Sequence, residues 1–163
     1  MNKIASQWQM NSKIGTLFLV ATEKGLKGAF WKKQSAPLLK SLSGSAPEIK
    51  FLAETEKQLN EYFAGKRKNF ELTFDVDGTD FQKQVWKALA KIPYGKTCSY
   101  RDIAKKIKNE KAVRAVGTAN GRNPLSIIVP CHRVIAADGT LGGYAGGLQK
   151  KKLLLSLENA ALL

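Results

Sequence analysis

An α+β fold in two parts is predicted by three features of the 163-residue sequence. Within residues 1–76 the apolar spacing changes from the alternation of strands to a helical period and back, as expected of antiparallel strands with one helix. Beyond Asp77-Gly78 the chain reads as short capped helices, which makes residues 77–163 a mainly helical second domain. Charge divides unevenly too: 12 Lys/Arg against 7 Asp/Glu in residues 1–76, and 15 against 6 in residues 77–163. The larger share of the net +14 therefore lies in the second part, where it favours a polyanion, nucleic acid ahead of an anionic membrane.

The first domain takes shape in order. Residues 14–21 carry Ile14, Thr16 and Val20, the turn Glu23-Lys24-Gly25 follows, and Leu26 to Trp31 returns, so a β-hairpin is expected. Residues 33–47, rich in serine and proline, read as a surface loop. From Glu48, the residues Ile49, Leu52, Ala53, Glu56, Leu59, Tyr62 and Phe63 mostly share one helical face, and Gly65 closes the helix. Phe70, Leu72, Phe74 and Val76 alternate with polar residues as a strand. Nothing in this domain has the look of a reaction centre.

In the second domain Thr79 and Gln82 form a capping-box pattern ahead of the buried stripe Phe81, Val85, Trp86 and Leu89. Ile92-Pro93-Tyr94-Gly95 ends that helix. Ser99 caps the next, with Asp102 in its first turn and Ile103, Ala104 and Ile107 facing inward. After Lys108-Asn109-Glu110 a third helix is expected from about Lys111 to Asn120. Two short helices across a tight polar turn, in a basic half, match a helix-turn-helix. The third helix is nearly bare of bulk at Ala112, Ala115, Gly117, Thr118 and Ala119; it is slim either to pack tightly or to approach DNA closely. The last helix follows the glycine-rich stretch 142–147. It carries Lys150-Lys151-Lys152, then Leu153, Leu154, Leu157 and Ala161 as its inner side, with Glu158 beside that face.

Chemistry is most plausible at Pro130-Cys131-His132-Arg133-Val134. One of two cysteines stands beside the single histidine, just after the apolar run Ile127-Ile128-Val129; the pattern Leu125-Ser126-Ile127-Ile128-Val129-Pro130 reads as a buried β-segment that delivers the cysteine at its end. Thiol and imidazole have proton equilibria near neutrality, and together they generate a thiolate nucleophile. The alternative is that Cys131 is only a small buried hydrophobe. Two cysteines without C-x-x-C exclude a disulfide scaffold and a cysteine-rich zinc site. No apolar signal core opens the chain and no run of eighteen apolar residues occurs, so a cytoplasmic protein with no membrane partner is expected.

The motif resembles the active-site motif of the O6-alkylguanine-DNA alkyltransferases, also called methylated-DNA–protein-cysteine methyltransferases. The likeness runs from Phe81 to Glu158 through Ile92-Pro93-Tyr94-Gly95, Ser99-Tyr100, Arg114-Ala115-Val116-Gly117, Asn123-Pro124 and Gly142-Gly143-Tyr144-Ala145-Gly146-Gly147. Residues 1–76 resemble the family only in length and general pattern. The resemblance implies a ribonuclease-H-like first domain and a winged helix-turn-helix-like second one, in a monomer. It implies irreversible transfer of a methyl or small alkyl group from O6 of guanine (also O4 of thymine) in duplex DNA to Cys131, with neither cofactor nor metal.

The same resemblance gives the residues their roles. Cys131, a water, His132 and Glu158 form a proton relay. Tyr100 rotates the backbone phosphate, Arg114 fills the space left by the flipped base, Tyr144 packs over the base, and Asn123 braces the turn. Ala112, Ala115, Gly117 and Thr118 face the minor groove. Chemistry on a stacked base requires such flipping, and the minor groove displays little sequence, which suits a protein that acts in any context. Relatives often carry Met-Arg where this chain has Asn120-Gly121-Arg122, a bacterial-type variation. Arg133 is open between an ion pair and a DNA contact, and Cys98 reads as an ordinary small residue. Three other readings are a damage sensor without transfer, a cysteine hydrolase, and an operator-binding repressor. The presence of Cys131, the adjacent Cys-His order and the scarcity of base-reading side chains on the third helix disfavour them in turn.

Overall fold

The hairpin over residues 14–31 forms, and a strand that the apolar pattern hid precedes it. The computed structural model describes residues 4–160, and the chain divides into two units, Met1–Asp77 and Gly78–Leu163. In the first, β1 (Ala5–Asn11), β2 (Thr16–Thr22) and β3 (Gly25–Phe30) make an antiparallel sheet in that order. β1 is mostly polar, so alternation did not reveal it. Its buried Gln7 takes the place of an apolar residue because its amide is fully occupied. Nε2 donates to the carbonyls of Gln34 and Ala36, and Oε1 accepts from the Gln34 N–H. That network ties the serine-rich loop to the sheet.

Helix α1 (Pro47–Phe63) has proline in its first turn and packs Leu52, Leu59, Tyr62 and Phe63 against the sheet, whose core is Leu17, Leu19, Ala21, Leu26 and Ala29. Residues 70–76 do not form the expected strand. The segment meets β3 only at an isolated bridge, Leu26 with Phe74, through Leu26 N–H to Thr73 and Asp75 N–H to Leu26. Gly25, at φ 157°, lets the two backbones approach: a Cβ there would sit 2.8 Å from Phe74 and Thr73 main-chain atoms. Phe74 remains exposed, so alternation here marks docking at one residue, without a ladder.

The second unit is mainly helical. Thr79 and Gln82 close a reciprocal capping box on α2 (Asp80–Leu89), and Ser99 and Asp102 close another on α3 (Tyr100–Lys106). A 3-10 turn (Glu110–Ala112) leads into α4 (Val113–Gly121). Val85, Leu89, Ile103, Ala104 and Val116 are buried where α2, α3 and α4 pack, and Trp86 Nε1 donates to the Ala119 carbonyl at 2.8 Å. The third helix is therefore slim on one side and pinned on the other.

The run Leu125 to Val129 is buried but is not the expected β-segment: residues 126–128 are turns, and Ile127 takes a left-handed φ of 72°. The two-residue strands β4 (Cys98–Ser99) and β5 (Val134–Ile135) pair in parallel on either side of the intervening helices. Helix α5 (Leu148–Leu157) departs from its expected inner face. Lys151, Leu154 and Leu155 are buried and Glu158 caps the end, whereas Leu153 is exposed; Ala161 lies outside the described residues. Among the described residues no helix is long and apolar enough to cross a membrane.

Candidate active site

The bend before Cys131 is built by hydrogen bonds that a strand would not leave available. Asn123 Nδ2 donates to the Val129 carbonyl at 2.8 Å, its Oδ1 accepts from Leu125 N–H at 3.0 Å, and Cys131 N–H donates to Val129 at 2.8 Å. The chain then enters a 3-10 turn, Cys131–Arg133, before β5. Cys131 is 2 % exposed and His132 fully buried, so each side chain must find its chemistry inside the protein.

His132 and Arg133 converge on one carboxylate, Glu158, itself 3 % exposed. His132 Nε2 lies 2.8 Å from Oε2. Arg133 grips the same group in a fork, Nε to Oε1 at 2.8 Å and Nη2 to Oε2 at 3.0 Å, while Nη1 donates to the Ile92 carbonyl at 2.7 Å. The Arg133 guanidinium also lies 5.6 Å from the Tyr94 ring centre. Arg133 is thus a buried structural ion pair, which resolves the alternative left open by sequence.

The electrostatics follow from burial. Because the Glu158 carboxylate only accepts, Nε2 carries the imidazole hydrogen and Nδ1 keeps its lone pair; Nδ1 is buried and bonds to no protein atom. Burial holds the imidazole pKa below its ordinary value against the pull of Glu158, with Arg133 and Lys151 adding to the depression. Burial likewise raises the Cys131 thiol, opposed by the Asn123 side chain and by the charge of Lys151. The resting site therefore holds a neutral thiol and a neutral imidazole. Charge is created only when a proton moves from one to the other, and Glu158 favours the resulting imidazolium.

Lys151 was missed by sequence reasoning. Its fully buried ammonium donates to the carbonyls of Val134 (2.7 Å), Leu141 and Gly143 (3.1 Å), and burial lowers its pKa to about 8. One side chain thus ties β5 to the glycine-rich loop. A signal was available: Lys151, Leu154, Leu155 and Glu158 stand at i, i+3, i+4 and i+7, one helical face.

Tyr100, the first residue of α3, lies between α4 and that loop. A Cβ on Gly117 would sit 3.8 Å from its ring, and one on Gly142, at φ 70°, 2.7 Å from its hydroxyl. Burial raises the phenol pKa, with a Gly143 backbone hydrogen bond opposing and Cys131 near enough to contribute. On α4, Arg114, Ala115 and Thr118 are exposed and Gly117 is half-buried, as is Ala112 in the 3-10 turn before it. Tyr144 is half-buried in the loop. The structure thus groups Cys131, His132, Glu158, Asn123, Tyr100 and Lys151; Arg114, Ala115 and Thr118 lie on an exposed face of α4, and Cys98 sits in β4, half-buried, with its thiol pKa raised by burial to about 11.

Comparison with known proteins gives consistent results. Residues 80–160 match the family model described as 6-O-methylguanine DNA methyltransferase, DNA binding domain, and residues 9–76 match its ribonuclease-like domain. Methylated-DNA–protein-cysteine methyltransferase of Methanosarcina barkeri is 49 % identical over 152 residues, 91 % of this chain and 94 % of that one. The Mycobacterium leprae protein of the same name is 47 % identical over 154 residues, 94 % and 92 % of the two chains. Among solved structures, Mycobacterium tuberculosis O6-methylguanine methyltransferase superposes with a TM-score of 0.82 at 42 % identity, covering 95 % of this chain and 93 % of that one. The Mycobacterium tuberculosis protein in complex with DNA gives 0.83 at 42 % identity, over 94 % and 92 %.

Proposed function

Since the chain belongs to the methylated-DNA–protein-cysteine methyltransferase family, we propose that Cys131 is the residue that takes the alkyl group, with His132 and Glu158 as its proton relay. The protein binds DNA and repairs it by direct reversal, moving an alkyl group to its active-site cysteine. What supports the residue assignment is the buried contact of His132 with Glu158, one residue from the only fully enclosed thiol among the described residues.

A guanine reaches Cys131 by leaving the stack, at a cost of a few kcal/mol that a weakened alkylated pair reduces. The slim face of α4 enters the minor groove at Ala112, Ala115, Gly117 and Thr118. Arg114 fills the vacated space with its flat guanidinium, Tyr100 turns the phosphate, and Tyr144 packs over the base. His132 Nδ1 then takes the Cys131 proton through a water, Glu158 stabilising the imidazolium. Sulfur attacks the alkyl carbon as the C–O6 bond breaks, and the electron pair passes to the guanine oxygen. Tyr100 or a neighbouring donor supplies a proton to the departing base. The proton lost by the thiol makes good that transfer, so atoms and charge balance. The thioether has no hydrolysable bond, so each molecule acts once. O4-alkylthymine carries the same kind of alkyl C–O bond and is a second substrate. The protein works as a cytoplasmic monomer.

Cys131→Ala tests the assignment by separating binding from chemistry. At fixed salt the variant keeps its affinity for duplex DNA, since the α4 surface is untouched, yet takes no label from O6-methylguanine. Loss of binding together with transfer would make the cysteine a structural residue instead.

A further inference from the structure

Four lysines converge on an open groove of about 530 Å³ in the second unit, and none of its lining residues belongs to the site above. Lys87 stands in the last turn of α2 and Lys91 just past its end, with Gln84 one turn earlier; Lys106 ends α3 and Lys108 lies just past it, with Ile107 between them. All four lysines are exposed, no Asp or Glu lines the groove, and among the described residues none of the four pairs with a carboxylate.

Helix C-termini favour cations, which accounts for Lys87, Lys91 and Lys106 one at a time. It does not account for their convergence, because like charges at i and i+4 repel. Nor does it account for Lys108. That residue lies past α3 at φ 57°, in a Schellman-type ending where Lys108 N–H donates to Lys105 and Asn109 N–H to Ala104, a position that favours glycine. A lysine is held there although the backbone prefers another residue.

We propose that this groove grips a second stretch of duplex DNA backbone, beyond the segment that α4 engages. This rests on the DNA-binding reading above and adds a contact surface to it. Ammonium groups on flexible stems neutralise phosphates as point charges without reading sequence. The groove offers no aromatic ring on which an unpaired base stacks, so its chemistry fits a duplex backbone in preference to a single strand.

The test is the salt dependence of binding to undamaged duplex. Each neutralised phosphate contributes about 0.9 to the slope of log K against log salt. Lys87→Gln/Lys91→Gln is expected to lower the slope by about 2, and Lys108→Gly, which also relieves the backbone, by about 1. The control Lys50→Gln/Lys57→Gln, on α1, should leave it unchanged. Methyl uptake from free O6-methylguanine base should equal the parent's in every variant. The groove assignment is overturned if both groove variants keep the parent slope, or if the α1 control falls equally. Methyl uptake from alkylated duplex by the parent protein, measured in the same samples, reports separately on the alkyl-transfer reading.

Discussion

At the residue scale the site works by withholding charge. His132 is buried with its pKa held down, so the folded protein refuses a proton that the unfolded chain accepts near the ordinary histidine value of about 6.5. Stability from this group is therefore level above that pH and falls as pH is lowered through it. A thermal melt from pH 7.5 to 5 should show a decline that His132→Asn makes shallower; an identical slope in the variant would place the titration elsewhere. Lys151 has the opposite task, a cation near the thiol. Lys151→Met leaves the carbonyls of Val134, Leu141 and Gly143 without their donor, at a net cost of about 2 kcal/mol. It also removes a charge that favours the Cys131 thiolate, so iodoacetamide labelling of Cys131 should need a higher pH than in the parent. Labelling with an unchanged pH profile would confine Lys151 to a structural tether. The Cys131–His132 pair was legible in the sequence because adjacency alone announces it. Lys151 was not, since a run of three lysines looks like a solvated face until the helix phase is known.

At the element scale, what could be read depended on whether a side chain or the main chain did the organising. The Thr79–Gln82 capping box, the Ser99 cap and the helices after them were legible, because caps are written in few residues at fixed spacing; that Asp102 closes a second reciprocal box is seen only in the structure. β1 was hidden because Gln7 buries an amide where a strand normally buries an apolar group, and the 70–76 segment alternates without forming a ladder. The turns before Cys131 were misread because an apolar run cannot say whether Asn123 will intercept its carbonyls. Helix α4 poses a sharper question: its exposed Arg114 is either a base substitute or one more surface charge. Arg114→Ala should slow methyl transfer from duplex DNA at least tenfold, and leave uptake from free O6-methylguanine base within about twofold, because a free base has no stack to leave. Equal losses on both substrates would move Arg114 from the duplex to the pocket or the fold.

For the whole molecule, the division of labour is uneven. Residues 4–77 hold a sheet and helix with an ordinary apolar core, whereas the second unit carries Cys131, the buried His132–Glu158 contact, the slim helix and most of the excess positive charge. That asymmetry is legible in the charge and motif order of the sequence, and the two family matches fall on the same two stretches. Under the proposed function one protein molecule removes one alkyl group and keeps it on Cys131. This is tested most directly by titrating the protein with duplex carrying O6-methylguanine and weighing the intact chain and its peptides. Expected are a single methyl mass per chain at completion, on the peptide holding Cys131 and not on that holding Cys98, with repaired guanine equal to protein. More repaired guanines than protein molecules would rule out single turnover, and the methyl on any other residue would rule out Cys131 as its acceptor.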